Sequence, residues 1–358
     1  MKRLGMVVFL LACTPLPCLA GPTTYDGKHD ISTIHLTVVY FVPKDRKPLP
    51  DWKDRVDYYL RRVNAFHSRE LDGISKLRID LHPQPLVTDL PSANFRRGDQ
   101  NQTFFSTMDE VRRLLKWKPT QKDGFPVLLV LSDINWRELD DFRRVRMEKG
   151  KEIFEGSIAR NGRHFPGAES GGARATYVAK PGFGMGLVSG DGWRVPYSGS
   201  DCVIYHEGLG HTVGLPHPDP LDNSVMGTAQ YELWIHEARL NRKQKERLGW
   251  KAPEKEPDLA GDLYSKFRAL QAPLVPQAGK LVELELRWPR GARVKSLQVR
   301  VQTELFGKWE TIPTKVQGEP PTKVSLRAFA AGPVSYRVDV TLEDGQTSEV
   351  WGYFQVKP

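Results

Sequence analysis

The chain has 358 residues, 39% of them hydrophobic, with 52 Lys and Arg against 43 Asp and Glu and a formal charge of +9. That length sets a prior of about two domains and is enough to bury a core without disulfides. Charges of both signs are interspersed and no nucleic-acid-binding motif accompanies them, so the basic excess implies a mildly basic surface and excludes nucleic acid as the expected partner.

The first segment is Met1-Lys2-Arg3, an apolar run from Leu4 to Cys13, and the small-residue site Cys18-Leu19-Ala20 before Gly21. It reads as a secretory signal peptide over residues 1–20, giving a secreted or extracellular protein, with periplasmic or cell-surface retention as variants. The run is too short to span a bilayer, and no later segment is long enough, so no membrane span is expected. Cys13 and Cys18 leave with the signal. Cys202 alone can form no internal disulfide and reads as a small buried residue. Asn101-Gln102-Thr103 is a glycosylation sequon.

Residues 27–250 alternate strand and helix. Ile34 to Val42 is a β-branched, aromatic strand, and Asp51 is placed to cap a helix carrying Trp52, Val56, Tyr59, Leu60, Val63 and Phe66. Leu77 to Leu81 alternates as a strand, Thr107 to Trp117 has helical spacing, and Val127 to Leu131 is a short apolar strand. From Ser132 to Gly199 glycine is frequent; Ala173 to Val178 and Met185 to Val188 read as strands. The cluster Arg143-Arg144-Val145-Arg146 with Lys149-Gly150-Lys151 reads as a solvated helix end. Ser200 or Asp201 then caps a helix bearing Cys202, Val203, Ile204, His206 and His211, and Asn241 caps a basic helix reaching Leu248. The order predicts an α+β fold, a mixed sheet with helices packed on it.

Residues 251–280, rich in proline and charge, read as a linker with a short helix around Asp262 to Leu270. Residues 281–358 change texture to alternating strands: Leu281 to Trp288, Val294 to Val301, Val324 to Leu326, Ser335 to Leu342 and Val350 to Val356. Asp344-Gly345 marks a hairpin turn between the last two. A small all-β sandwich is expected, similar in texture to fibronectin type III or immunoglobulin-like modules.

The chemistry concentrates in His206-Glu207-Gly208-Leu209-Gly210-His211-Thr212-Val213-Gly214-Leu215-Pro216-His217. A zinc site with an open position needs three protein ligands, and a helical His pair makes a rigid two-point anchor. Gly214 is placed for a sharp turn that brings a third His back, and Glu207 is placed to take a proton from zinc-activated water. Ser224-Val225-Met226-Gly227 follows as a methionine in a tight turn. The block resembles the metzincin clan of zinc endopeptidases, H-E-x-x-H-x-x-G-x-x-H with a Met-turn, loosely over about residues 30–250 and closely over 206–227. The resemblance implies a metzincin-like mixed sheet, Zn2+ held by His206, His211 and His217, Glu207 as general base, Met226 beneath the metal, and a peptide or protein substrate.

One residue departs from that pattern, because His206 and His211 are five apart rather than four. On a regular helix that separation rotates the second ligand by roughly 140° from the first. A π-bulge absorbs the extra residue, and Gly208 and Gly210 ease such a distortion. His-Glu-Gly-Leu-Gly-His also resembles the His-Glu-x-x-x-His helix of dipeptidyl peptidase III, a zinc exopeptidase. A regular helix instead pairs Glu207 with His211 as ligands, with His217 as third. His236-Glu237 reads as exposed, Asp219 and Asp222 as turn residues, and Tyr231 as a packing residue or an oxyanion partner. Gly171 to Val178 reads as an edge strand, either structural or pairing with extended substrate. The functions open at this stage are a secreted zinc endopeptidase, a zinc exopeptidase, and a non-catalytic, metal-stabilised binding or adhesion protein.

Overall fold

The computed structural model of the protein describes residues 32–98, 100–119, 124–133, 141–148, 151–160, 163–166, 178–188, 197–314, 316 and 319–358. The expected signal segment 1–20, Lys149-Gly150 of the basic cluster and 171–177 of the expected edge strand lie outside the described residues.

In chain order the first elements are Thr33–Val42 (β1), Trp52–Glu70 (α1), Lys76–Leu81 (β2), Leu86–Val87 (β3), Gln100–Leu115 (α2) and Phe125–Ser132 (β4). Then come Asp141–Glu148 (β5), Lys151–Arg160 (β6), Arg163–Pro166 (β7), Val178–Lys180 (β8), Phe183–Leu187 (β9), Tyr197–Tyr205 (α3), Ala229–Glu232 (α4), Arg242–Arg247 (α5) and Leu263–Lys266 (α6). The last part holds Arg268–Ala272 (β10), Leu281–Arg287 (β11), Val294–Gln302 (β12), Glu310–Ile312 (β13), Lys323–Ala328 (β14), Gly332–Leu342 (β15) and Thr347–Val356 (β16). The architecture is α+β. Among the described residues no helix is long and apolar enough to cross a membrane.

The main sheet runs β2-β1-β4-β9-β8, with β3 also on β1; its pairs are parallel except for β8, which turns back antiparallel on β9 as an edge. Alternation along β1 sets the layers. Leu36, Val38 and Tyr40 share one core with Val56 and Phe66 of α1 and Ile204 and Tyr205 of α3. Val39 and Phe41 share another with Phe104 and Met108 of α2.

Several local expectations change. Helix α2 begins at Gln100, not Thr107, because Thr103, Phe104, Thr107 and Met108 are all buried on one continuous helical face. The carboxylate of Asp51 does not cap α1; it accepts from Arg55 Nε and Trp309 Nε1, each at 2.9 Å. Helix α3 starts at Tyr197, so Ser200 and Asp201 lie inside it. Arg143 to Arg146 lie on β5 of a three-stranded antiparallel sheet β5-β6-β7, not on a helix end. That sheet has no counterpart in the sequence reading.

The linker reading also narrows. Asp262 caps α6 through Ser265 N–H at 2.7 Å, but the helix stops at Lys266. Residues 268–272 then pair antiparallel with β11, so the segment read as linker already contributes a strand to the sandwich. Two antiparallel sheets, β10-β11-β14 and β13-β12-β15-β16, enclose Val282, Leu284, Val299, Tyr336, Val338 and Phe354. Strand β13 has three residues, too few to show alternation. The Asp344-Gly345 hairpin forms as expected, with Gly345 at φ +91°.

Candidate metal centre

Helix α3 widens as it reaches the histidines. The N–H of His211 donates to the carbonyl of His206 at 3.0 Å, and Leu215 N–H to Gly210 at 2.9 Å, each spanning five residues. His206–Gly210 is a π-helical turn. It absorbs the extra residue and returns both histidines to one face, with ring centroids 4.4 Å apart.

The glycines around this turn are needed for space. A Cβ on Gly210 would sit 2.3 Å from Met226 Sδ, and one on Gly208 2.9 Å from Leu129 Cδ1. On β9, a Cβ on Gly184 would lie 2.7 Å from the carbonyl oxygen of Glu207. The wide turn is thus pressed against the sheet below and the methionine beside it. Gly214, at φ +90°, then reverses the chain toward Pro216 and His217, as its placement in the sequence predicted.

The three imidazoles meet. His217 Nε2 lies 3.0 Å from His206 Nε2 and 3.1 Å from His211 Nε2. Each helical histidine is oriented by a main-chain carbonyl: His206 Nδ1 donates to Val225 at 2.8 Å and His211 Nδ1 to Leu215 at 2.7 Å. With Nδ1 donating, both Nε2 atoms carry lone pairs, and both point at one partner nitrogen. A single proton on His217 Nε2 can satisfy only one of them at full strength, whereas a cation satisfies all three. A tetrahedral ion with metal–nitrogen bonds of about 2.0–2.1 Å holds its nitrogens about 3.3 Å apart, close to these separations. The donor set therefore fits a metal ion, and among the described residues these three histidines form the group able to hold one. Burial lowers His206 to about 3, with the neighbouring His211 acting the same way; burial likewise lowers His211. Both are therefore neutral, the form a metal ligand requires.

Met226 is fully buried. Its turn closes through Gly227 N–H to the Ser224 carbonyl at 2.9 Å, and the same turn aims the Val225 carbonyl at His206. Asp222 organises it, accepting from Ser224 N–H at 3.0 Å and Asn241 Nδ2 at 2.7 Å. Thr228, two residues past the methionine, closes the loop by donating to the Asp222 carbonyl at 3.2 Å. The orienting carbonyls of Val225 and Leu215 were missed in the sequence, since a main-chain acceptor carries no residue signature.

Glu207 stands in the π-turn beside His206, outside the three-histidine cluster. Burial lifts its carboxyl to about 7, against the charge of Lys180 on the edge strand β8. Cys202 is buried and donates to the Leu233 carbonyl at 3.2 Å, a structural role as expected. His236, read as exposed, is 2% accessible, and Glu237 pairs with Arg268. His236 packs against Arg62 of α1 and Tyr264 of α6, and Arg268 of β10 sits on Glu237, partners that the local sequence does not reveal. Tyr231 lies in α4, and its side chain is outside the described residues.

No family profile and no curated protein matches the chain. Solved structures similar to it include wild-type OgpA from Akkermansia muciniphila, at 14% identity and TM-score 0.37, covering 92% of this chain and 94% of that one. Catalytically inactive OgpA in complex with an O-glycopeptide (glycodrosocin) substrate aligns at 13% identity and TM-score 0.35, covering 92% and 94%. CopC from Methylosinus trichosporium OB3b aligns with 25% of this chain and 95% of its own, at 24% identity and TM-score 0.20. Superpositions this loose carry no argument about chemistry, so the functional reading rests on the geometry of the histidines.

Proposed function

We propose that the chain is an exported zinc-dependent endopeptidase, with His206, His211 and His217 as ligands and Glu207 as general base. The observation that supports this reading most is the π-turn, which brings two tautomer-fixed imidazoles to one face, where the Gly214 reversal returns His217, with Glu207 outside the three-histidine cluster. Three nitrogen donors with no carboxylate suit zinc with an open coordination position. Export is supported by the basic start and short apolar run of residues 1–20.

The chemistry a bound zinc supplies is Lewis acidity toward a peptide carbonyl and toward water. The chain's own residues do the rest. Neutral His206 and His211 keep their Nε2 lone pairs available because the Val225 and Leu215 carbonyls hold the Nδ1 protons. Glu207 takes a proton from the attacking water at a carboxylate oxygen and returns it to the leaving nitrogen. A purely structural metal site needs no such base, and the presence of Glu207 favours catalysis over a binding role.

The test is Glu207→Gln in the full chain. We expect peptide hydrolysis to fall by about 10²–10⁴-fold while one zinc per chain is retained. Undiminished hydrolysis in that variant would remove Glu207 from the role.

A further inference from the structure

The sequence divides into a metal-bearing part and a sandwich, but the two cores each take a residue from the other. Leu305, on the loop after β12, belongs to the core under the metal helix. Trp234, just after α4, belongs to the sandwich core, and its Nε1 donates to the Trp351 carbonyl of β16 at 3.3 Å. Further bonds cross the seam: Arg55 to Gln302 Oε1 at 2.9 Å, and Trp351 N–H to the Tyr58 hydroxyl at 3.1 Å.

Arg62 of α1 stands at the centre of this seam and is 4% accessible. Its guanidinium donates to Asp201 Oδ2 at 3.1 Å, to the Glu349 carbonyl of β16 at 3.2 Å, and to His236 Nδ1. Asp201, 1% accessible, lies on α3 five residues before His206. Its other oxygen accepts from Ile235 N–H at 3.0 Å, in the segment that follows the Met226 turn. Burial raises the Asp201 carboxyl, and the Arg62 charge works against that rise. One fork thus ties β16 to the helix that carries His206, and through Asp201 to the segment behind Met226. A planar five-donor group can hold three acceptors in fixed directions, which a lysine ammonium cannot do.

We propose that the C-terminal sandwich is a strut for the metal centre and that Arg62 is its positioning residue, so that loosening β16 weakens metal binding without altering a ligand. This rests on reading the three histidines as a metal site. Packing coupled in this way changes affinity at a distant site by about three- to thirtyfold.

The test uses the full chain, with zinc affinity measured by chelator competition and the visible spectrum of the cobalt-substituted protein as a direct view of ligand geometry. Arg62→Lys keeps a cation for Asp201 and gives up the fork to Glu349 and His236. Trp234→Phe keeps an aromatic side chain beside His236 but removes the bond to Trp351 and part of the buried indole volume. Val299→Ala, in the sandwich core and making none of the seam bonds named above, serves as the control for a loss of stability alone. We expect about three- to thirtyfold weaker zinc binding and an altered cobalt spectrum for Arg62→Lys. A smaller loss of the same kind is expected for Trp234→Phe, and wild-type values for folded Val299→Ala. If Arg62→Lys does not fold, Trp234→Phe decides by the same two readouts. Wild-type affinity and spectrum in the folded seam variants, or an equal loss in Val299→Ala, would overturn the strut. A wild-type chain that binds no metal would overturn the metal reading itself.

Discussion

Gly210 and Gly208 show how little room a single residue has in this site. A methyl at 210 would meet Met226 Sδ at 2.3 Å with Met226 fully buried, whereas one at 208 meets a leucine methyl at 2.9 Å. We therefore expect Gly210→Ala to destabilise the fold by about 1–3 kcal/mol, with Gly208→Ala costing less, as read from urea midpoints at constant slope. His67 makes a different prediction. It is buried between Tyr205 and Ser75, at 3.2 and 2.9 Å, and burial holds it down to about 3 against an ordinary 6.5. Its folded value lies below its unfolded one, so its contribution is complete above pH 6.5 and is lost as pH falls toward 3. On unfolding in that window the ring takes up a proton, steepening the acid loss of stability by up to about 1.4 kcal/mol per pH unit. The measurement is unfolding free energy against pH: His67→Gln should flatten the fall between pH 6 and 4, and an unchanged slope would count against a neutral buried ring.

At the scale of elements, what the sequence made legible depended on whether a pattern was local. The strand β1, the helix α1, the sandwich strands β11, β12, β14, β15 and β16, and the Asn241 cap announce themselves through alternation, helical spacing or a single polar residue. The capping box is complete: Asn241 Oδ1 accepts from Gln244 N–H at 2.8 Å and Gln244 Oε1 from Asn241 N–H at 2.9 Å. Because Asn241 also donates to Asp222 in the Met226 turn, Asn241→Ala should cost about 1–2 kcal/mol in thermal stability, at the upper end for a cap. A loss of only a few tenths would mean that the turn does not depend on it. The π-turn was half legible. Five-residue spacing demanded a wide turn if both histidines were to share a face, but the packing that holds it wide, Gly184 and Leu129 from the sheet and Met226 from the side, comes from distant segments. Strand β13 and the sheet β5-β6-β7 were not legible, the first because it is three residues long and the second because glycine-rich sequence showed no clean period.

For the whole molecule, texture read as a mixed strand-and-helix part followed by an all-β part, but could not show that residues of the two stretches share their cores. Proline and charge made 251–280 look like a free linker, yet β10 lies within it and pairs across to β11. His236 looked exposed because its cover, Arg62 of α1 and Tyr264 of α6, arrives from distant segments of the chain. If one ion ties His217 back onto the π-turn, its removal should also be felt in the stability of the whole chain: chelation should lower the melting temperature, by an amount matching about 2.7 kcal/mol when free zinc had stood at a hundred times its dissociation constant. A melting temperature indifferent to chelator would argue that no ion is held. The most direct test of the account is X-ray absorption at the zinc edge on the zinc-loaded full chain and on Glu207→Gln. We predict one zinc with three imidazoles at about 2.0–2.1 Å and one further light atom, unchanged by the substitution. A carboxylate in place of an imidazole that disappears in Glu207→Gln would contradict the three-histidine centre.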